Sequence, residues 1–289
     1  MIPGQFDYVR PNDLGEALRI LAEREGEAKV LSGGYSLIPL LKLRLAQPGL
    51  LVDIGRVGGL DGIVETDDEL RIGARATHRQ IHENEIIARY PLLHDASGGI
   101  GDPQVRNWGT IGGSAAHADP ASDWPAVLQA ARATIVCRSA TGERLIAAKD
   151  FFVDTFQTSI EPTEVLTEIR FRRRARGQGG AYVKLERKVG DYATVGVAGI
   201  AILEGNSIRW AGLGITGVSE IPYVAEEAEA ILVGNAPSDD LFRRAGEAAA
   251  AQARPVADVR GPVEYKRAMV TELTVRALRS AVERGFAYA

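Results

Sequence analysis

Two segments of the chain combine a glycine pair with flanking hydroxyls, a pattern in which backbone can close on an anion. The first is Leu31-Ser-Gly-Gly-Tyr-Ser-Leu37, where strand-forming residues give way to helix-forming ones. Gly33 and Gly34 lack Cβ atoms, so the backbone there can turn sharply and approach a ligand closely. Ser36 adds a hydroxyl beside the first amides of the next helix, where unpaired N–H groups favour an anion. Phosphate or pyrophosphate is the natural ligand; the plainer alternative is a tight turn that holds nothing. The second segment is Gly109-Thr-Ile-Gly-Gly-Ser-Ala-Ala-His-Ala-Asp-Pro-Ala-Ser-Asp123, with Thr110 and Ser114 as its hydroxyls. It lies in a stretch, 98–123, that reads as one long loop rich in Gly, Asn, Asp and Pro; such loops in compact domains are usually functional or disordered, and this one has too many ordered-turn residues to read as merely disordered. Asp123 stands just before a helix, either as its cap or as an acceptor for a ribose. Two such loops in one chain suggest a diphosphate held from two sides. Neither fits GxxxxGK[ST] or GxGxxG, which argues against a nucleoside triphosphatase or a Rossmann domain.

Other constellations carry less. Lys184 and Tyr192 flank a charged turn, and a tyrosine at a sheet rim can cover an aromatic cofactor or serve simply as an interface aromatic. His78 and His82 are four residues apart on a predicted helix, without HExxH or a carboxylate at ligand spacing, so they read as a solvated face. Arg170, Arg172, Arg173, Arg174 and Arg176 form a basic run that reads as a solvated interdomain linker or as a dock for an acidic partner. Cys137 is the single cysteine and reads as a small buried hydrophobe.

The elements that must position these residues follow from composition and periodicity. At 289 residues, 45% hydrophobic and 25% charged, the chain is long enough for about two domains without disulfide support. A net charge of −4 argues against nucleic acid as a partner. One cysteine excludes an intramolecular disulfide, a Cys-rich zinc site and an all-protein iron–sulfur cluster. No secretory signal and no run of roughly 18 apolar residues is visible, so a cytoplasmic location is expected. Residues 12–22 predict a helix with Leu14, Ala17, Leu18 and Leu21 on one face, and 28–32 and 50–54 predict strands around a second helix at 37–45. Beyond a linker at 55–59, strands are predicted at 61–65, 69–73, 133–137 and 143–147, with helices at 77–82, 91–97 and 123–132. After the arginines come three strand-like runs, at 181–187, 194–203 and 207–215, then helices at 225–232, 241–251 and 262–284. That order predicts helices packed on one face of an antiparallel sheet.

Taken together, the two loops resemble those of the FAD-binding (medium) subunits of the molybdenum hydroxylase family, nearest its aerobic carbon monoxide dehydrogenase branch. The likeness covers nearly the whole chain: Ile2-Pro-Gly-Gln-Phe-Asp-Tyr8, Gly33-Gly-Tyr-Ser-Leu-Ile-Pro39, Asp102-Pro-Gln-Val-Arg106, Gly109-Thr-Ile-Gly-Gly113, Gly190-Asp-Tyr-Ala-Thr194 and Gly261-Pro-Val-Glu-Tyr-Lys266. It implies an α+β protein with a vanillyl-alcohol-oxidase-type FAD-binding fold in two α/β subdomains, 1–56 and 57–176, and a C-terminal α+β domain, 177–289. It implies that Leu31, Ser32, Gly33, Gly34, Tyr35, Ser36 and Leu37, with Thr110, Ile111, Gly112, Gly113 and Ser114, bind the FAD diphosphate. Asp123 would bind the adenosine ribose, Ile100, His117, Leu166 and Lys184 would complete the cofactor site, and Tyr192 would cover the isoalloxazine. One departure is Tyr35, where members of the family usually carry His.

The resemblance also implies partners: a small subunit with two [2Fe–2S] clusters and a large subunit with the molybdenum cofactor. The flavin subunit would pass electrons to quinone, NAD or oxygen, with any membrane contact made only through the complex. The substrate would be carbon monoxide or, in related members, an N-heterocycle, purine or aldehyde. A non-redox nucleotide-binding protein is the alternative from another class.

Overall fold

The computed structural model describes residues 2–289. Its first sheet is parallel and three-stranded, with Leu50–Asp53 between Asp7–Val9 and Ala28–Leu31. The helix Leu14–Glu23 begins where the Asp13 carboxylate accepts from the Glu16 N–H, and it buries Ala17, Leu18 and Leu21 against this sheet. Full burial of such a leucine stabilises by about 1.5–3 kcal/mol, which fixes the sheet under the first glycine loop.

The second sheet is antiparallel, in the order Ile63–Glu65, Glu69–Gly73, Val165–Arg172, Thr134–Ser139 and Gly142–Ala147. Its central strand, Val165–Arg172, takes in the first arginines of the basic run. Ile169 and Phe171 face the core while Arg170 and Arg172 alternate with them. The stretch 98–123 is not one long loop. It folds into two short helices, Pro103–Trp108 and Ile111–His117, capped by Asp102 and Thr110. Side-chain caps on Asp and Thr supply the helix starts that Gly and Pro content conceals.

The third sheet, also antiparallel, joins Gln178–Leu185, Val195–Glu204, Ser207–Thr216 and Tyr223–Val224. The helices Glu226–Leu232, Asp239–Gln252 and Val263–Phe286 pack on one face of it, as the order of elements predicts. A Cβ at Gly179 would lie 1.9 Å from the Ala281 carbonyl oxygen, so the long helix rests directly on the strand. The other face is covered too. The helix Asp123–Ala130, buried along its whole length, presses its backbone onto Gly212 and Gly214, where a Cβ would come within 2.2 and 2.0 Å of the Ala130 and Ala126 carbonyls. That contact places Asp123 at the seam between the second and third sheets. No helix among the described residues is long and apolar enough to cross a membrane.

Candidate flavin site

The first glycine loop leaves the Ala28–Leu31 strand and ends at the helix Leu37–Lys42. Gly34 has φ +78°, a conformation glycine adopts without strain. Around it, the amides of Gly33, Gly34, Tyr35 and Ser36 donate no hydrogen bond to any described residue; the first bond beyond them is from Ile38 N–H to the Gly34 carbonyl. Successive free N–H groups about a positive-φ residue form a concavity that binds anions. Ser36 caps no amide, and its hydroxyl lies beside the Tyr192 phenol.

The second loop behaves differently. Its glycines are the first turn of the helix Ile111–His117, and every leading amide is engaged. Ile111 donates to the Ala76 carbonyl, Gly112 to Ala74, Gly113 to Thr110 Oγ1 and Ser114 to the Thr110 carbonyl. A Cβ on Gly112 would lie 2.5 Å from that of Ala74, and one on Gly113 2.7 Å from Thr110 Oγ1. What this segment offers a ligand is therefore hydroxyls. The two loops meet: Ser32 Oγ is 3.3 Å from Thr110 Oγ1, and a Cβ on Gly33 would lie 1.9 Å from the Trp108 carbonyl oxygen. Ser114 Oγ bonds to Ser122 Oγ at 2.8 Å. Beside the junction opens a cleft of about 440 Å³, lined by Ser32, Gly33 and Thr110 together with Arg75, Arg79 and Trp108.

A buried polar cluster sits across the seam. Asp123 does not cap its helix; Ser122 holds the N-cap position and Asp123 is the first helical residue. Its Oδ1 accepts from the Tyr182 phenol at 2.5 Å and its Oδ2 from Lys184 Nζ at 3.3 Å. Lys184 also donates to the carbonyls of Gly99 (2.8 Å) and Asp191 (3.2 Å), tying the helix Pro91–Gly99 to the loop that carries Tyr192. Burial pushes the Asp123 carboxyl up, against the pull of the Lys184 ammonium. Burial and the Asp123 charge together raise the Tyr182 phenol far above its ordinary range. Tyr192 is 45% exposed, and partial desolvation with the nearby Asp119 carboxylate raises its phenol as well.

Ile100 is the C-cap of Pro91–Gly99, and Arg106 fixes that turn by donating to the Ile100 and Gly101 carbonyls. Leu166 is buried on the central strand opposite Cys137, which is itself buried. His117 ends its helix with the ring packed 5.1 Å from Phe156, and burial lowers its pKa. Tyr182 was not visible among the sequence candidates; its place two residues before Lys184, on the same strand face, was the available signal.

Two readings require correction. His78 is not on a solvated face: it is buried, its Nδ1 accepts from Trp124 Nε1 at 3.1 Å, and burial with the Arg106 charge lowers its pKa to about 3. The basic run is no free linker. Arg170 pairs with Glu168 and Glu143, Arg173 donates to the Asp67 carbonyl, and Arg174 stacks 3.6 Å over the Tyr288 ring. Only the side chains of Arg172 and Arg176 of the five make no hydrogen bond, ion pair or ring contact among the described residues.

Four free amides, three hydroxyls, an adjoining cleft and an aromatic flank fit a dinucleotide with a diphosphate. The comparisons agree. Residues 4–171 match the family described as FAD binding domain in molybdopterin dehydrogenase, and 180–281 match the CO dehydrogenase flavoprotein C-terminal domain. The chain is 42% identical to the carbon monoxide dehydrogenase medium chain of Afipia carboxidovorans, over 100% of this chain and 99% of that one. It is 40% identical to the glyceraldehyde dehydrogenase medium chain of Sulfolobus acidocaldarius, over 96% and 99% respectively. The solved carbon monoxide dehydrogenase of Hydrogenophaga pseudoflava superposes with a TM-score of 0.95 at 41% identity, covering 98% of this chain and 99% of that one. The chain thus belongs to the family of FAD-binding flavoprotein subunits of molybdenum hydroxylases, oxidoreductase components whose cofactor is FAD.

Proposed function

We propose that this chain is the electron outlet of a heteromeric molybdenum-containing dehydrogenase. It takes electrons from [2Fe–2S] clusters on a small partner subunit, fed by a large molybdenum-cofactor subunit, and passes them to an external acceptor such as quinone, NAD or oxygen. The observation that carries this reading is the run of free amides at Gly33–Ser36 beside the hydroxyls of the second loop, in a chain whose single, buried cysteine cannot supply the four ligands of an iron–sulfur cluster. FAD supplies a carrier that accepts electrons singly and releases them as a pair, while the protein binds, orients and tunes it.

In this reading the amides of Gly33, Gly34, Tyr35 and Ser36 hold the diphosphate, with Ser32, Thr110 and Ser114 lending hydroxyls. Leu31 and Leu37 fix the ends of the first loop, and Ile111, Gly112 and Gly113 set the second against it. Asp123 accepts from a ribose hydroxyl with lone pairs left free by Tyr182 and Lys184. Leu166 and Lys184 would lie near the isoalloxazine, Tyr192 would cover it and limit solvent access, and Ile100 and His117 would complete the cofactor site. The chain divides into FAD-binding subdomains at 1–56 and 57–176 and a C-terminal domain at 177–289.

Carbon monoxide is the first reading for the substrate of the complex, supported by the 42% identity over the full chain. The 40% identity to a glyceraldehyde dehydrogenase medium chain favours an aldehyde as the second. The test is to purify the chain with FAD but without partners and assay it with carbon monoxide, aldehydes, purines and nicotine-like amines. The flavin stays oxidised with all of them, and only the assembled complex reduces it. Substrate-dependent flavin reduction by the isolated chain would overturn the relay. Acid precipitation releases the flavin into solution; flavin retained on the polypeptide would contradict non-covalent binding.

A further inference from the structure

A second cavity, of about 400 Å³, opens between the second and third sheets. Its apolar wall comes from Leu92, Phe171, Ile200 and Trp210, and four arginines line it, Arg132, Arg172, Arg174 and Arg209, with no Asp or Glu among the lining residues. Arg132 is balanced by Glu229 at 2.5 Å. The other three form no ion pair among the described residues. Arg174 is half-buried, and its guanidinium donates only to the carbonyls of Gln178 (2.8 Å), Arg89 (2.8 Å) and Arg284 (3.4 Å). Three of its five N–H donors are placed, no carboxylate reaches it, and burial lowers its pKa. One face of the guanidinium lies on the Tyr288 ring, and carbonyls and a ring are its whole complement, so a half-buried cation here has a place for an anion that no residue of the chain fills. Arg172 and Arg209 are exposed at the rim.

The cavity shares two elements with the candidate flavin site but opens further along each of them. Leu92 and Gly99 stand on one helix, seven residues and roughly 10 Å apart. Gly180 and Lys184 stand on one strand, roughly 13 Å apart. A volume of about 400 Å³ lies within the range of small-molecule sites, roughly 300–1,000 Å³.

We propose that this cavity binds a small amphipathic carboxylate, an aryl or short acyl acid. The apolar body lies against Leu92, Phe171, Ile200 and Trp210, and the carboxylate meets Arg174 with Arg172 and Arg209 at the mouth. Excess positive charge over an apolar floor selects an anion with an apolar tail over an inorganic anion, which gains nothing from the wall, and over a neutral hydrocarbon, which leaves the arginines unpaired.

The test titrates benzoate and hexanoate into the FAD-loaded chain, followed by saturation-transfer NMR and by Tm, with benzamide and hexanol as neutral controls. Both acids bind saturably and raise Tm, the neutral analogues bind about tenfold more weakly or less, and the flavin bands do not move. The exposed double variant Arg172→Ala/Arg209→Ala keeps its Tm and weakens benzoate binding about tenfold or more, the loss of both charged contacts at the mouth. Absence of saturable binding, equal affinity in the double variant, or flavin bands that shift with benzoate would each overturn the site. So would loss of benzoate binding on assembly with the partner subunits, which would make the cavity a seat for a partner side chain.

Discussion

Gly33-Gly34 and Gly112-Gly113 look alike in the chain, each a glycine pair beside two hydroxyls, yet the fold uses them for different purposes. At the first pair the backbone turns through a positive φ and leaves four amides without acceptors. At the second the glycines let a helix start against Ala74 and Ala76, and every amide of that start is consumed inside the protein. One loop is a donor surface; the other is a packing joint that contributes side-chain oxygens. A glycine pair therefore signals close approach, and only the partners of its amides tell whether a ligand or the protein itself is approached.

Substitutions should separate the two roles. The largest effect is expected from Gly112→Val, whose side chain meets the Ala74 backbone with nowhere to move. Overpacking of this kind costs about 1–3 kcal/mol or more, so thermal unfolding of the apo chain should fall by many degrees, with flavin loss only as a consequence. Gly34→Ala comes next and acts in the opposite sense. Its Cβ meets the flexible side chains of Ile38 and Leu31, which can yield, so the apo chain loses about 1 kcal/mol from the unfavourable φ. FAD affinity should fall far more than stability, by about tenfold or beyond, because the amide concavity is distorted. Equal losses of stability and affinity in both variants would erase the distinction.

Acid should act on the second loop first. His78 donates its backbone N–H to the Gly109 carbonyl, and its ring is buried with a pKa near 3 against an ordinary 6.5. A depressed histidine binds its proton more readily when unfolded. Its contribution is full above pH about 6.5 and declines as pH falls toward about 3. Residues 32–36 carry no group that titrates in this window. Tm measured against pH should drop through that range and flatten in His78→Gln, whereas an unchanged slope would remove His78 as the cause. The smallest effect belongs to Tyr192→Ala. The phenol is half-exposed, so the fold should be unaffected while the flavin absorption or potential shifts. Spectra identical to those of the unaltered chain would place the ring away from the flavin.

Much of this was legible locally. The helix at Leu14–Glu23, the strand–turn–helix around Gly33 and the C-terminal helices follow from periodicity and caps that neighbouring residues supply. The central strand Val165–Arg172 was obscured because its outward residues are arginines, which read as a linker until Ile169 and Phe171 are seen to alternate with them. The helices in 98–123 were hidden by glycines and prolines whose starts depend on single capping side chains. Tyr182, the buried role of His78 and the engagement of the second loop's amides all depend on partners distant in the chain, Asp123, Trp124 and the Ala74 and Ala76 carbonyls. No local pattern encodes those pairings.

Amide hydrogen exchange of the apo and FAD-loaded chain tests the central claim most directly. Amides already bonded inside the protein are protected before the cofactor arrives, whereas free ones gain protection only from a ligand. Binding of FAD should slow exchange strongly at Gly33, Gly34, Tyr35 and Ser36 and change little at Ile111, Gly112, Gly113 and Ser114. Comparable new protection at both loops, or protection confined to Ile111–Ser114, would contradict the assignment of the first loop as the donor surface.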